Sequence, residues 1–328
     1  MVAEHGQDVT SPTCLIFGAT GQDGCCLAEI FRPAGFGVVG ISRRPLPAMR
    51  SALGPYARRF SSLVGGFVVD PGNVRTLIDA VRPAVIVNVA GMSSVGASFG
   101  RPMETFLDNG QLNLFVLEAL RRTGLGAHYV FASSGEVFGE TPAAGAGVDS
   151  PIDPRSPYAV SKAAASLVLR NYREVYGVRA SIAYLFPHES PLRDTAFVLP
   201  KVARSLLALK AGRIAALELG RLDVVRDWGW APEFMRALFL QAQLAEPVDL
   251  VIAGGTGVML GDMVRHGMRR IGIADDRPIR VDPGLVRRAD LHMSVGATGE
   301  TARVIGWRAD TTGFAVLDRL MDALEDDA

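Results

Sequence analysis

This sequence lacks a net charge and long apolar runs, and it has few histidines and cysteines. Each of these features excludes a class of protein. The 34 basic and 34 acidic residues give a formal net charge of +0, so no electrostatic feature favours nucleic acid or an anionic membrane surface. The five histidines form no ligand cluster, and the three cysteines lack metal spacing, so we expect no metal site. We find no apolar run long enough to cross a bilayer and no signal-peptide core at the N-terminus. Thiols that stay reduced fit a cytoplasmic location, which we expect for this chain.

Short apolar runs instead alternate with helical patterns through the first half of the chain. We expect strands at 14–17, 37–41, 67–69, 85–89, 128–132 and 180–185, and helices near 22–32, 73–81, 103–123 and 157–176. This alternation predicts an α/β fold, a Rossmann-type doubly wound parallel sheet with helices on both faces. Prolines interrupt the pattern after about residue 186. We therefore predict a nucleotide-binding domain over 1–185 and a smaller C-terminal substrate-binding lobe over 186–328, with some segments returning to the first domain.

A glycine-rich turn follows the first predicted strand. Gly18, Gly21 and Gly24 lie between the apolar run 14–17 and a helical pattern that begins at Cys25. In a dinucleotide-binding turn the first glycine allows a tight turn, the second lets the backbone approach a pyrophosphate, and the third lets the helix pack closely. The helix N-terminus then offers free N–H groups to the phosphates. The alternative is an ordinary strand-to-helix turn.

Two arginines, Arg43 and Arg44, follow the second predicted strand, 37–41. In a dinucleotide fold the end of this strand meets the adenosine ribose, where an acidic residue favours NAD. Arginines instead favour the 2′-phosphate of NADP, because a guanidinium is a planar fork that matches phosphate oxygens. The sequence therefore predicts NADP as the cofactor, with a pair of solvated surface arginines as the alternative.

Tyr158 and Lys162 lie one helical turn apart in the run Ser-Pro-Tyr-Ala-Val-Ser-Lys at 156–162. A lysine ammonium on the same helix face favours the phenolate, so a tyrosine with an ordinary pKa near 10 could act as a base closer to neutral pH. Such a base beside a nicotinamide can take the proton of a sugar hydroxyl while a hydride leaves. A tyrosine and a lysine on a solvated helix face are the alternative.

The ends of the predicted parallel strands meet at one edge of the sheet, where ligands bind in doubly wound folds. These ends are Gly18–Gly24, Arg43, Ala90–Ser93 and Ser133–Glu136, so we expect the catalytic candidates to converge in one crevice. In the second half, Arg226, Arg287 and Arg288 are candidates for binding a diphosphate, or else solvated surface charges.

The chain resembles the extended short-chain dehydrogenase/reductases and, within them, the GDP-mannose 4,6-dehydratases. Seven stretches carry the resemblance, in the expected order over nearly the whole chain. They are Gly-Ala-Thr-Gly-Gln-Asp-Gly at 18–24, Val-Arg-Pro at 81–83, the run 156–162, Asn-Tyr-Arg-Glu-Val-Tyr-Gly at 171–177, His-Glu-Ser-Pro at 188–191, Arg-Asp-Trp-Gly at 226–229 and Arg-Val-Asp-Pro at 280–283. Gln-Asp-Gly, His-Glu-Ser-Pro and Arg-Asp-Trp-Gly are more specific than the general nucleotide-binding signature.

The resemblance implies a role for each matching residue. The implied catalytic residues are Ser134, Glu136, Tyr158 and Lys162. The expected NADP-binding residues are Gly18, Thr20, Gly21, Gln22, Asp23, Arg43, Arg44, Val89, Ala90, Ser93, Tyr158, Lys162, His188 and Arg193. The expected residues for the nucleotide sugar are Ser134, Glu136, Glu189, Lys201, Arg226 and Arg287.

The implied reaction converts a nucleotide hexose, GDP-mannose or a related compound, to its 4-keto-6-deoxy form by internal hydride transfer through bound NADP. The sequence departs from the family at Gly135 (usually serine), Phe67 (aspartate) and Pro187 (asparagine). An epimerase or reductase of nucleotide sugars, or a catalytically idle binder of NADP or a nucleotide sugar, therefore stays open. By the same resemblance we expect a homodimer or homotetramer, with loop 42–60 in its inter-subunit region.

Overall fold

A computed structural model describes residues 11–286 and 289–326. Its helices are α1 Gln22–Phe31, α2 Leu46–Leu53, α3 Pro71–Val81, α4 Val95–Ser98, α5 Pro102–Thr123, α6 Pro157–Tyr176, α7 Val198–Lys210, α8 Ala231–Ala242, α9 Leu260–Arg270, α10 Gly299–Ile305 and α11 Phe314–Asp326. Its strands are β1 Thr13–Phe17, β2 Gly37–Ile41, β3 Ser62–Val64, β4 Val85–Asn88, β5 His128–Ser134, β6 Ala180–Leu185, β7 His188–Glu189, β8 Leu217–Leu219, β9 Val225–Asp227, β10 Gly229–Trp230, β11 Leu250–Ile252, β12 Gly257–Met259, β13 Ile279–Val281 and β14 Met293–Ser294.

The central sheet has seven parallel strands in the order β11-β6-β5-β4-β1-β2-β3. Strands β4, β5 and β6 are buried along their whole length, as expected for strands covered on both faces. The order reverses between β1 and β4, and ligands bind in such folds outside the carboxyl ends of the strands at this point. The predicted doubly wound α/β fold is confirmed.

Local sequence signals set the ends of the helix that carries Tyr158 and Lys162. The Ser156 hydroxyl caps α6 by accepting a hydrogen bond from the Ala159 N–H at 3.1 Å, and Pro157 occupies the first turn. Gly177, with a φ of 66°, ends the helix in the left-handed conformation. The predicted range 157–176 is therefore confirmed.

The third strand was wrongly predicted at 67–69, because it lies at Ser62–Val64 and pairs with Val39–Ile41. Gly66, with a φ of 69°, turns the chain out of the sheet before Phe67. Val68 is 64% exposed, and Asp70 then caps α3 by accepting from the Asn73 N–H. The apolar run at 67–69 could not show that β2 pairs instead with the earlier segment Ser62–Val64.

Hydrophobic side chains form two clusters. The larger one packs on both faces of the central sheet and includes α8 and β11 from the second half of the chain. The smaller one is built mainly from α7, α9 and α11 and includes Trp228 and Trp230. The antiparallel pair β9 and β12, with β14 beside β9, lies in this second half.

Across the described residues, we find no helix that combines the length and the apolar character needed to cross a membrane.

Candidate active site

One cavity lies at the carboxyl ends of β1, β4, β5 and β6. Its lining contains loop residues that follow these strands, together with residues of α6 and β7. The structure therefore brings together, from the residues expected in the site, Asp23, Val89, Ala90, Ser93, Ser134, Glu136, Tyr158, Lys162, His188, Glu189, Arg193 and Arg226.

The glycine-rich turn beside the cavity has no room for side chains at two positions. Gly18 has a φ of 89°, and a Cβ there would lie 2.8 Å from the backbone nitrogen of Ala90. A Cβ on Gly24 would lie 2.6 Å from the Cα of Ala19. Gly21 starts α1 without a side-chain cap, so the first N–H groups of this helix donate no hydrogen bond to a capping side chain. This cradle fits the phosphates of a dinucleotide.

A hydrogen-bond network ties the start of α1 to β7. The Nε2 of His188 lies 3.1 Å from Asp23 Oδ1, and its Nδ1 lies 2.7 Å from the Phe186 carbonyl. Ser190 donates to Gln22 Oε1 at 2.8 Å. Burial opposes the charge on each partner, but their attraction lowers the pKa of Asp23 well below its usual range and raises the pKa of His188. A fixed Asp23–His188 pair therefore borders the cavity beside the glycine-rich turn.

Tyr158 is 8% exposed, and its hydroxyl forms a hydrogen bond with Ser134. Burial is the largest influence and raises the pKa of Tyr158 to about 12, against the Ser134 contact, which lowers it. Lys162 donates from Nζ to the Ala132 carbonyl at 2.8 Å, and burial lowers the pKa of Lys162 to about 8. Burial therefore opposes ionisation of the Tyr158 phenol, and Lys162 Nζ lies 6.0 Å from the centre of the phenol ring.

Glu136 lies in the 3₁₀ turn Gly135–Phe138 directly after β5, and it is half-buried at the cavity wall. The Ser134 hydroxyl accepts a hydrogen bond from the backbone N–H of Glu136 at 3.2 Å, which fixes the start of the turn. A Cβ on Gly135 would lie 2.7 Å from the ring of Phe186. The phenyl ring therefore fills the space that a serine side chain needs in this conformation.

Glu189, which is buried, and Arg193, which is partly buried, form a pair in the lining of the cavity. Their closest atoms, Glu189 Oε2 and Arg193 Nε, lie 3.7 Å apart, and neither atom has a hydrogen-bond partner. Arg193 also stacks its guanidinium 3.7 Å from the centre of the Phe197 ring. Burial raises the pKa of Glu189 to about 7 although Arg193 lowers it.

Arg226 lies between this cavity and a second recess that continues from it. The recess is also lined by Lys201 and Trp228, so two predicted substrate residues share it. Arg226 is nearly buried and donates to Asp290 Oδ1 at 2.8 Å. Asp290 was not predicted, and no local sequence signal marks it, because it lies 64 residues away. Arg287 and Arg288 lie outside the described residues.

Arg43 and Arg44 lie just beyond β2 and are not part of the lining of the main cavity. Arg43 contacts Asp108 of α5, a second residue that sequence reasoning missed. In the part of the chain that the structure describes, no three His, Cys, Asp or Glu side chains come close enough to hold a metal ion.

A family model and a relative of known name match nearly the whole chain. A family model described as GDP-mannose 4,6 dehydratase matches residues 15–320. A protein named GDP-mannose 4,6-dehydratase from Sinorhizobium fredii (strain HH103) is 34% identical over 325 residues, covering 91% of this chain and 92% of that protein.

Two solved structures show a shared fold. UDP-glucose 4-epimerase from Thermotoga maritima, with UDP-glucose bound, has a TM-score of 0.83 and 18% identity, covering 96% of this chain and 99% of that one. A dTDP-glucose 4,6-dehydratase from Bacillus anthracis, in complex with NAD, has a TM-score of 0.82 and 17% identity, covering 97% of each chain.

Proposed function

Because this chain belongs to the GDP-mannose 4,6-dehydratase family, we propose that it is an NADP-dependent lyase that removes water from GDP-mannose. The product is the 4-keto-6-deoxy nucleotide sugar. The observation that carries the proposal is the meeting of Glu136, Tyr158 and Lys162 in one cavity beside a dinucleotide cradle. A carboxylate in this position provides for elimination, which simple oxidation of an alcohol does not need.

The cradle at Gly18 and Gly24 supports binding of a dinucleotide cofactor across the end of β1. When bound, a nicotinamide supplies a hydride acceptor for C4 of the sugar and a hydride donor for C6. His188 and Arg193 line the cavity and, in our proposal, contact the cofactor. Asp23 holds His188 in place through a hydrogen bond. Arg43 and Arg44, at the end of β2, support the choice of NADP over NAD.

Tyr158 takes the proton of the C4 hydroxyl in our proposal, and Ser134 aligns that hydroxyl through its contact with the phenol. Lys162 is held by the Ala132 carbonyl and, with a pKa of about 8, is mostly protonated at neutral pH. Its ammonium favours the phenolate, against the burial that raises the pKa of Tyr158. The ketone at C4 then makes the C5 hydrogen acidic, so that a carboxylate can remove it.

Glu136 takes the C5 proton and gives it to the departing C6 hydroxyl. No side chain at position 135 can provide this acid, because Gly135 has none and the Phe186 ring fills the space. The same carboxyl group accepts the C5 proton and then donates it, so this proton leaves in the water. When the hydride is returned to C6, C5 takes up one proton, which balances the proton that Tyr158 took from the C4 hydroxyl.

The nucleotide part of the substrate lies, in our proposal, in the recess that continues from the cavity. Arg226 and Lys201 line it and bind the diphosphate, together with Arg287 outside the described residues. This arrangement gives residues 1–185 most of the cofactor contacts and residues 186–328 most of the substrate contacts, with α8 and β11 returning to the first core.

The exposed apolar residues of α5 and α6 support a homodimer, and a homotetramer needs a further contact surface. The two helices pack against each other and leave large apolar side chains in solvent. These are Met103, Phe106, Leu107 and Leu114 on α5, and Val160, Leu167, Val175 and Tyr176 on α6. A second copy of the same pair of helices covers them in our proposal.

A mass measurement tests the reaction. Purified protein incubated with GDP-mannose and NADP⁺ should convert the substrate to a product lighter by one water. Glu136→Gln should slow this loss by about 10²–10⁴-fold, because the base is gone, while bound NADP⁺ is still reduced transiently. Glu174→Gln, an exposed carboxylate on α6, is the matched control and should leave the rate unchanged.

An epimerase or reductase is the second candidate, and the packing of Phe186 over Gly135 is the observation that favours it. An epimerase leaves the mass of the sugar nucleotide unchanged, and a reductase adds two hydrogens at the expense of NADPH. Either mass, or unslowed loss of water in Glu136→Gln, contradicts the dehydratase mechanism.

A further inference from the structure

Arg43 is engaged by a carboxylate that the sequence did not point to. Its two terminal nitrogens face the two oxygens of Asp108, at 2.7 and 3.4 Å. The Arg43 side chain is 65% exposed and that of Asp108 is 26% exposed. The contact is a two-pronged ion pair at the protein surface, in the geometry that a guanidinium also uses to bind a phosphate.

The pair crosses the end of the sheet where the cofactor cradle lies. Arg43 follows β2 by two residues. Asp108 lies on α5 beside Gly91, since its carbonyl oxygen is 3.6 Å from the position a Cβ on Gly91 would take, and Gly91 follows β4 by three residues. Because β1 lies between β4 and β2, the ion pair spans the carboxyl end of β1, where the glycine-rich turn begins.

We propose that Asp108 is a specificity-determining residue that competes with the ribose 2′-phosphate of NADP for the Arg43 guanidinium. The inference rests on the proposed use of NADP. In doubly wound folds the adenosine ribose lies at the end of the second strand, so Arg43 is within reach of a 2′-phosphate. The same fork of N–H groups cannot serve both the carboxylate and the phosphate, so binding of NADP exchanges one partner for the other.

NAD carries a 2′-hydroxyl in place of the phosphate and requires no such exchange. Asp108 therefore weakens binding of NADP more than binding of NAD. It thereby reduces the preference for NADP over NAD that Arg43 and Arg44 provide. The negative charge of Asp108 also repels the phosphate directly. Exposed ion pairs are weak and charges near the surface are screened, so we expect an effect of about three- to tenfold that shrinks as salt is added.

Dissociation constants for NADPH and NADH test the proposal without any sugar nucleotide. They are measured by fluorescence titration of wild type, Asp108→Ala, Arg43→Ala and the double variant at low and high salt. Asp108→Ala should bind NADPH about three- to tenfold more tightly and NADH within about twofold of wild type. In the Arg43→Ala background the Asp108 substitution should produce at most the small gain from lost repulsion.

Glu104→Ala removes the same charge one turn earlier on α5, from an exposed position, and should change neither constant. Asp108→Asn provides a second variant with the size of aspartate, in case the alanine variant folds poorly. If both Asp108 variants bind NADPH as wild type does, or more weakly, the competition is refuted. An equal gain with Arg43 absent also refutes it.

Failure of the proposed cofactor has a different signature. The use of NADP is contradicted if wild type binds NADH as tightly as NADPH and if Arg43→Ala loses no affinity for NADPH. Neither of these results involves an Asp108 variant. Dehydration of GDP-mannose is measured separately by mass, so it stands or falls independently of these constants.

Discussion

Tyr158 and Lys162 show how strongly burial acts on single ionisable side chains in this cavity. Each loses hydration, and this raises the pKa of the phenol and lowers the pKa of the ammonium, so both changes favour neutral groups. The sequence pattern identified the two residues, and the role of Tyr158 as a base assisted by Lys162 stays a prediction. Spacing along a helix reveals proximity, whereas hydration depends on residues from distant segments.

Glu189 gives a prediction for stability against pH. Burial raises the pKa of Glu189 from 4.5 to about 7, so ionising it costs the folded state free energy once the pH exceeds the unfolded value. The cost is absent below about pH 4 and fully present above about pH 7. Glu189→Gln should therefore raise the free energy of unfolding at pH 8 by about 2–3 kcal/mol, and by much less at pH 5.

Urea unfolding at the two pH values measures this difference. Glu218→Gln, an exposed carboxylate on β8, is the control and should show no pH-dependent gain. A gain for Glu189→Gln that is equal at pH 5 and pH 8 contradicts the assignment, because it would arise from packing and not from ionisation.

Helix α1 packs so closely against the glycine-rich turn that no side chain fits at Gly24. Gly24 lies in the first turn of α1, and a Cβ there would overlap backbone atoms of Ala19, which cannot rotate away. Gly24→Ala should lower the free energy of unfolding by about 1–3 kcal/mol, despite the better helix propensity of alanine, because the helix must move away from the turn. It should also weaken cofactor binding, since the first N–H groups of α1 move with the helix.

Denaturant unfolding and cofactor titration measure both effects. Gly126→Ala is a matched control, because nothing lies within 4 Å of a Cβ at that position. Unchanged stability and unchanged cofactor affinity in Gly24→Ala would mean that α1 does not depend on this close approach.

At the scale of the whole molecule, the apolar face of α5 and α6 predicts the state of association. Leu167 on α6 is 54% exposed and Met103 on α5 is 69% exposed, although both side chains are large and apolar. Replacing both with lysine should convert a dimer into a single chain, because two like charges from each copy would meet in the contact. Light scattering coupled to size exclusion measures the mass.

The control replaces Val68 and Val281, which are 64% and 56% exposed and belong to neither α5 nor α6, with lysine. It should leave the mass of the assembly unchanged. If wild type already has the mass of one chain, or if the α5 and α6 variant keeps the mass of wild type, this face is not the contact between copies.

The sequence alone determined the order of the main elements, the glycine-rich turn, the Tyr158–Lys162 spacing and the family. Those features are local, since a cap such as Ser156 or a repeat of apolar residues acts within a few positions. The tertiary structure decided what depends on distant partners. It placed the third strand at Ser62–Val64, paired Arg43 with Asp108 and packed Phe186 against Gly135. Pairing, burial and close packing join residues far apart in the chain, so no local pattern reports them.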